Sequence, residues 1–201
     1  MKKLKDVIIE TLITEAAPKF EKSIDGIKAF CDYVYDKELY NWTINSDLSI
    51  TIDMNKPRPN GVNNCYMDPK DLTEIPDFIT YSNIPTITLG ITGAKKLTKW
   101  TPNVNGTCAG VIVSETCKKI EELDLTNCDC KGGKLYIYKT PIRKIIGGNG
   151  DGVQVYINMN KNLEYLDLRR FKNCKSPGSY VTKNKNLEID SNMIPQEIDI
   201  D

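Results

Sequence analysis

A pair of apolar residues set three positions apart recurs down most of this chain, at an interval that barely changes. The first members are Leu72, Leu97, Ile120, Ile142, Leu163 and Leu187, separated by 25, 23, 22, 21 and 24 residues. Three positions after each of the first five stand Ile75, Trp100, Leu123, Ile145 and Leu166, whereas Asp190 follows the sixth. A unit of this length cannot bury its own apolar edge, so neighbouring copies must stack to make a core. The spacing therefore predicts a solenoid of about six rungs over 69–192, with the last rung a degenerate cap. At about 4.8 Å per rung the stack is roughly 30 Å long.

The pattern is most complete between residues 118 and 168. Ile120-x-x-Leu123-x-Leu125 opens that stretch and Leu163-x-x-Leu166-x-Leu168 closes it. Cys128 falls where leucine-rich repeats carry Asn or Cys, which gives the array a leucine-rich-repeat-like character. Each unit also has a strand-like return leg: 86–89, 111–113, 135–138, 153–157 and, more weakly, 180–181. Pro102, Gly106, Gly132-Gly133, Gly147-Gly148 and Pro177-Gly178 punctuate the legs, as turn residues do.

Ahead of the array the period is helical. Leu4, Ile8 and Leu12 share one face of a helix predicted over 2–15, which Ala16-Ala17-Pro18 ends. A second helix is predicted from about Ser23 to Tyr35, with Ser23 as N-cap and Ile24, Ile27, Phe30 and Cys31 on its buried stripe. From Tyr40 the period becomes two. Trp42 and Ile44, then Leu48, Ile50 and Ile52, form a hairpin around Asn45-Ser46-Asp47. Pro57 and Pro59 mark the connector that follows. The expected class is α+β: short N-terminal helices and a β-hairpin, then a leucine-rich-repeat-like β-solenoid. Its parts are a helical leader at 1–38, hairpin and connector at 39–68, solenoid at 69–192 and a frayed acidic tail at 193–201.

Function is narrowed first by what the chain lacks. There is no His, which removes the commonest general base and the usual Ser or Cys triads, so no catalytic residue is assigned. Cys128-Asp129-Cys130 is too tight for a zinc knuckle, so no metal or cofactor is assigned. With 27 basic and 27 acidic residues the net charge is zero, and no global field draws the chain to nucleic acid or a membrane. Asp6 and Glu10 flank Val7-Ile8-Ile9, which reads as no secretion signal, and no run nears the roughly 18 apolar residues of a membrane span. Seven cysteines are then expected as reduced, buried thiols.

Three surface features remain. The glycine-rich loop 147–152 lacks the Asp of a calcium nonapeptide and the Lys of a phosphate loop, and reads as a corner needing positive backbone dihedrals. Lys95-Lys96, Lys118-Lys119, Lys161 and Lys185 recur before the apolar anchors, but Glu121, Glu122, Glu164 and Glu188 follow them, so this edge reads as solvated. On the return legs, if Leu135, Ile137, Val153, Val155 and Ile157 point inward, Tyr136, Tyr138 and Tyr156 point out, with Ile112 in the matching place one rung earlier. That stripe suits a protein contact, or else cross-strand stacking within the sheet.

The order of parts resembles a family of small proteins of tailed bacteriophages. The resemblance rests on Met1-Lys2-Lys3-Leu4, Ile27-Lys28-Ala29-Phe30-Cys31, the strand 48–53 and Asp71-Leu72-Thr73-Glu74-Ile75-Pro76, and covers nearly the whole chain. The leader also resembles the capsid-targeting peptide of phage internal head proteins. Ile13-Thr14-Glu15 before Ala16 fits its protease site, which implies scission between Glu15 and Ala16. The resemblance implies a non-enzymatic, virion-associated protein acting through contacts with a capsid protein. The alternatives are a module in the host cytoplasm that docks a host protein and, against the missing His, an enzyme.

Overall fold

The structure, a computed structural model, describes residues 17–56 and 63–201. The leader helix expected over 2–15, the processing residues Ile13, Glu15 and Ala16, and the prolines of the connector lie outside the described residues. Within them the chain is mostly β, with one α-helix and a β-solenoid of about six turns.

Helix α1 spans Ile24–Val34 and is capped by Ser23, whose hydroxyl accepts from the Gly26 amide at 3.1 Å. It buries Ile27, Phe30, Cys31 and Val34, four positions on one face. Ile24, expected on that stripe, is 55% exposed at the first turn, and the buried face is carried by the residues from Ile27 onward. Phe20 meets Phe30 edge-on at 5.4 Å and closes the other side. The hairpin follows as antiparallel β1 (Tyr40–Ile44) and β2 (Ile50–Met54), with Trp42 opposite Ile52.

Every later strand pairing is parallel, which is the topology of a solenoid. The larger sheet has seven strands: β3 (Asn63–Met67), β4 (Ile84–Ile91), β6 (Cys108–Val113), β8 (Lys134–Tyr138), β11 (Gln154–Asn158), β14 (Tyr180–Thr182) and β15 (Asp199–Ile200). The smaller sheet has four: β5 (Lys99–Trp100), β7 (Glu122–Asp124), β9 (Lys144–Ile146) and β12 (Tyr165–Asp167). A third, short edge carries β10 (Gly150–Asp151) beside β13 (Phe171–Lys172), with bridges from Ile50 through Tyr81 to Val104 and from Thr107 through Asp129 to Asn149. Ile50 belongs to the hairpin, so the hairpin is stacked on the first turn.

The repeated pair of apolar residues finds its place here. Trp100, Leu123, Ile145 and Leu166 are register partners at the centre of the smaller sheet, and all are buried. Leu72, Leu97, Ile120, Ile142 and Leu163 are the buried residues that lead into that leg. Along the larger sheet Cys65, Leu89, Val111, Leu135 and Val155 form one inward row, with Met67, Ile91, Val113, Ile137, Ile157 and Val181 beside it. Both sheets feed one hydrophobic core, which also takes in α1 and the hairpin. Tyr35 and Tyr81 share a hydroxyl hydrogen bond of 2.5 Å inside it and tie the helical end to the first turn.

Two segments join the array that the sequence reading left out. Asn63–Met67 pairs with β4 along its whole length, and Asp199–Ile200 pairs with β14 in the stretch expected to fray. The glycine corner differs in its reason. Of its four glycines only Gly152 has a left-handed backbone (φ +67°). Gly148 is required by close approach instead: a Cβ there would lie 2.4 Å from the carbonyl oxygens of both Leu125 and Cys128.

Candidate functional site

Because the larger sheet is parallel and in register, its outward residues stack in straight rows. The central row runs Tyr66, Gly90, Ile112, Tyr136, Tyr156, Tyr180 and Asp199. The rows beside it run through Lys134 and Gln154 on one side, and Tyr138, Asn158 and Thr182 on the other. Inward Leu135, Ile137, Val155 and Ile157 hold the strands in this phase, since a slip of one residue would drive the tyrosines into the core.

The rings form a connected ridge. Tyr136 lies 6.0 Å from Tyr156 and 6.4 Å from Tyr138, and Tyr156 meets Tyr180 edge-on at 5.0 Å. Such pairs contribute about 0.5–1.5 kcal/mol each beyond area burial, so part of the ridge serves the sheet itself. Tyr136 nevertheless keeps 39% of its surface exposed, while Tyr138, Tyr156 and Tyr180 are half-buried. Burial pushes the Tyr136 phenol above its ordinary range, and the neighbouring phenols of Tyr180 and Tyr138 add to the shift, so its hydroxyl stays a neutral donor and acceptor. Lys139 sits 4.8 Å over the Tyr138 ring centroid and gives the ridge a basic end.

Of the four sequence-predicted contact residues, the fold brings Tyr136, Tyr138 and Tyr156 together. Ile112 shares their row but is only 7% exposed, so it offers a partner little surface. Tyr66 and Tyr180 were not singled out by the sequence. Tyr180 is found by the reasoning that places Tyr156, because Val181 beside it faces in. Tyr66 is signalled by Gly90, a glycine inside a strand: a Cβ there would come within 2.5 Å of the Tyr66 ring, which lies across it.

The cysteines lie elsewhere. All seven are free and buried. Cys108 and Cys130 stack with their sulfurs 3.7 Å apart, and the Cys128 thiol donates to the Pro102 carbonyl oxygen at 3.2 Å. No group of His, Cys, Asp or Glu among the described residues is arranged to hold a metal ion. Comparison of the chain with family models, with curated proteins and with solved structures finds no match.

Proposed function

We propose that this protein is a non-enzymatic binding module, a leucine-rich-type solenoid whose tyrosine ridge docks a protein partner. The observation that carries the reading is the ridge: four tyrosines in contact, on rigid strands, with Tyr136 exposed at its middle. Tyrosine offers large contact area and a hydroxyl with few rotamers to lose, and such anchors dominate protein interfaces. The leucine-rich assignment is supported by the buried anchors and by an amide ladder at the corner. There Asn160 and Asn184 each donate to the last inward carbonyl of the preceding turn, Ile137 and Ile157 respectively. The resemblance to phage proteins makes the partner a capsid protein and the setting the virion.

Mass spectrometry of purified phage particles tests the setting, and a mature start at Ala16 is the expected product of leader removal. Binding of the purified protein to particles lacking it tests the ridge: Tyr136→Ala with Tyr156→Ala should weaken binding by about 2 kcal/mol or more, while the three lost ring pairs lower the melting temperature by no more than about 10 °C. A large loss of stability with unchanged binding would assign the rings to the fold alone. Absence from particles would move the ridge to a host protein in the infected cell.

A further inference from the structure

The corner that follows the larger sheet is not uniform, and its irregularity makes a recess. From the last inward strand residue to the next apolar anchor is seven positions at Val113–Ile120 but five at Ile137–Ile142, then six at Ile157–Leu163 and Val181–Leu187. A five-position corner, a length otherwise found at Met67–Leu72, thus lies against the seven-position one, and Thr140-Pro141 lines the recess beside it. The result is a cavity of about 690 Å³, a size that accepts a small molecule.

Thr140, Pro141 and Met159 lie along it, and five lysines ring it: Lys118, Lys139, Lys161, Lys183 and Lys185. None of the five takes part in an ion pair among the described residues, and no acidic residue lines the recess. Some solenoid cations are matched: Lys96 with Asp71, Lys99 and Lys144 with Glu122, Arg143 with Glu164 and Arg169 with Asp167. Others, such as Lys95 and Lys131, stand unpaired, but only here among the described residues do five unpaired lysines line one concavity. The acid that acts on Lys139 is Glu115, outside the recess lining, and Lys118 reaches that residue's carbonyl oxygen at 2.6 Å. Lys139 and Lys183 also hold left-handed backbones (φ +52° and +56°), a conformation in which a lysine is uncommon. Five like charges around one recess without a counter-ion repel one another, and an anion seated among them relieves that repulsion.

We propose that this recess binds a small phosphate-rich anion. Lysine binds phosphate as a point charge with three rotatable donors, and several such charges around one recess favour a compact ligand of high negative charge, as a polyphosphate is. No arginine lines the recess. The Thr140 amide and hydroxyl are both committed to Asn160 Oδ1, at 2.9 and 2.8 Å, so recognition comes from the lysine charges, the Asn162 amide that also lines the recess, and apolar contact. The recess meets the end of the tyrosine ridge at Lys139, but the variants that test it leave Lys139 and the tyrosines in place, so its failure would leave the docking reading untouched.

The test is calorimetric titration of the full chain with sodium tripolyphosphate, repeated by phosphorus NMR line broadening. One site is expected, weakening about tenfold between about 0.05 and 0.2 M salt. Lys161→Ala with Lys185→Ala should cost a further tenfold or more, about 1.4 kcal/mol, with an unchanged melting curve. The charge-matched pair Lys37→Ala with Lys96→Ala should leave binding intact. No binding in either measurement, or equal loss in both double variants, overturns the site. Citrate binding as tightly as tripolyphosphate overturns the phosphate assignment, and a short oligothymidylate binding about tenfold tighter overturns the small ligand.

Discussion

Replacing Asn160 by Ala removes one fully buried side chain that satisfies three polar groups of the preceding turn at once. Its Oδ1 accepts from the Thr140 amide at 2.9 Å and the Thr140 hydroxyl at 2.8 Å, and its Nδ2 donates to the Ile137 carbonyl oxygen at 3.2 Å. Thr140 is itself 5% exposed, so water cannot readily replace the lost partner. An orphaned buried amide costs about 1–3 kcal/mol, and the lost bond to the Ile137 carbonyl oxygen adds about 1 kcal/mol. The sum is about 3 kcal/mol, a large share of the roughly 5–15 kcal/mol by which domains are stable. With a urea slope of about 2 kcal/mol/M, the unfolding midpoint should fall by about 1.5 M at unchanged slope. Asn162→Ala, on an exposed residue two positions on, should stay within about 0.5 kcal/mol of the parent. Equal midpoints for the two variants would refute the claim that a polar ladder holds the corner.

Leu123→Asp places a charge between Trp100 and Ile145 at the centre of the smaller sheet, and should cost at least about 3–5 kcal/mol and abolish a cooperative far-UV melt; a parent-like melt would contradict the solenoid core. Gly148→Ala drives a Cβ against two carbonyl oxygens and should cost about 3 kcal/mol, lowering Tm by about 9 °C. Gly132→Ala meets open space but a φ of +67°, so it should cost only about 1 kcal/mol, and a reversed order in calorimetry would be fatal to the close-approach argument. Burial, aided by the Asp32 charge, pushes the Cys31 thiol up to about 12 from its ordinary 9.0. The unfolded chain then releases this proton from about pH 9 while the folded chain retains it, so the stability it contributes below pH 9 is lost as pH rises towards 12. Tm measured between these pH values should fall less steeply in Cys31→Ala, and parallel curves would count against it.

What could be read in the sequence is what the period alone decides. Leu97, Ile120, Ile142 and Leu163 are buried because a stacked repeat has nowhere else to put them, and Trp100 fills the same central place as Leu123 and Ile145. What the period does not decide is which chain segment covers which. Asn63-Asn64-Cys65-Tyr66-Met67 has little strand character of its own and becomes β3 because the exposed edge of β4 offers it a full ladder of amides and carbonyls. Asp199–Ile200 gains its strand at the other end from β14. The same limit governs the contact face. Alternation along β8 and β11 suffices to turn Tyr136, Tyr138 and Tyr156 outward. That Ile112 is covered while Tyr136 is not depends on register across turns whose strand partners lie 20 to 24 residues apart, and no single stretch of sequence encodes that variation. The lysine recess is the strongest case: Lys118, Lys161 and Lys185 recur visibly, but only a shortened corner at Thr140-Pro141 turns a line of exposed charges into a concavity. Variation in rung length, rather than the repeat itself, is therefore what gives this solenoid distinct sites on an otherwise regular surface.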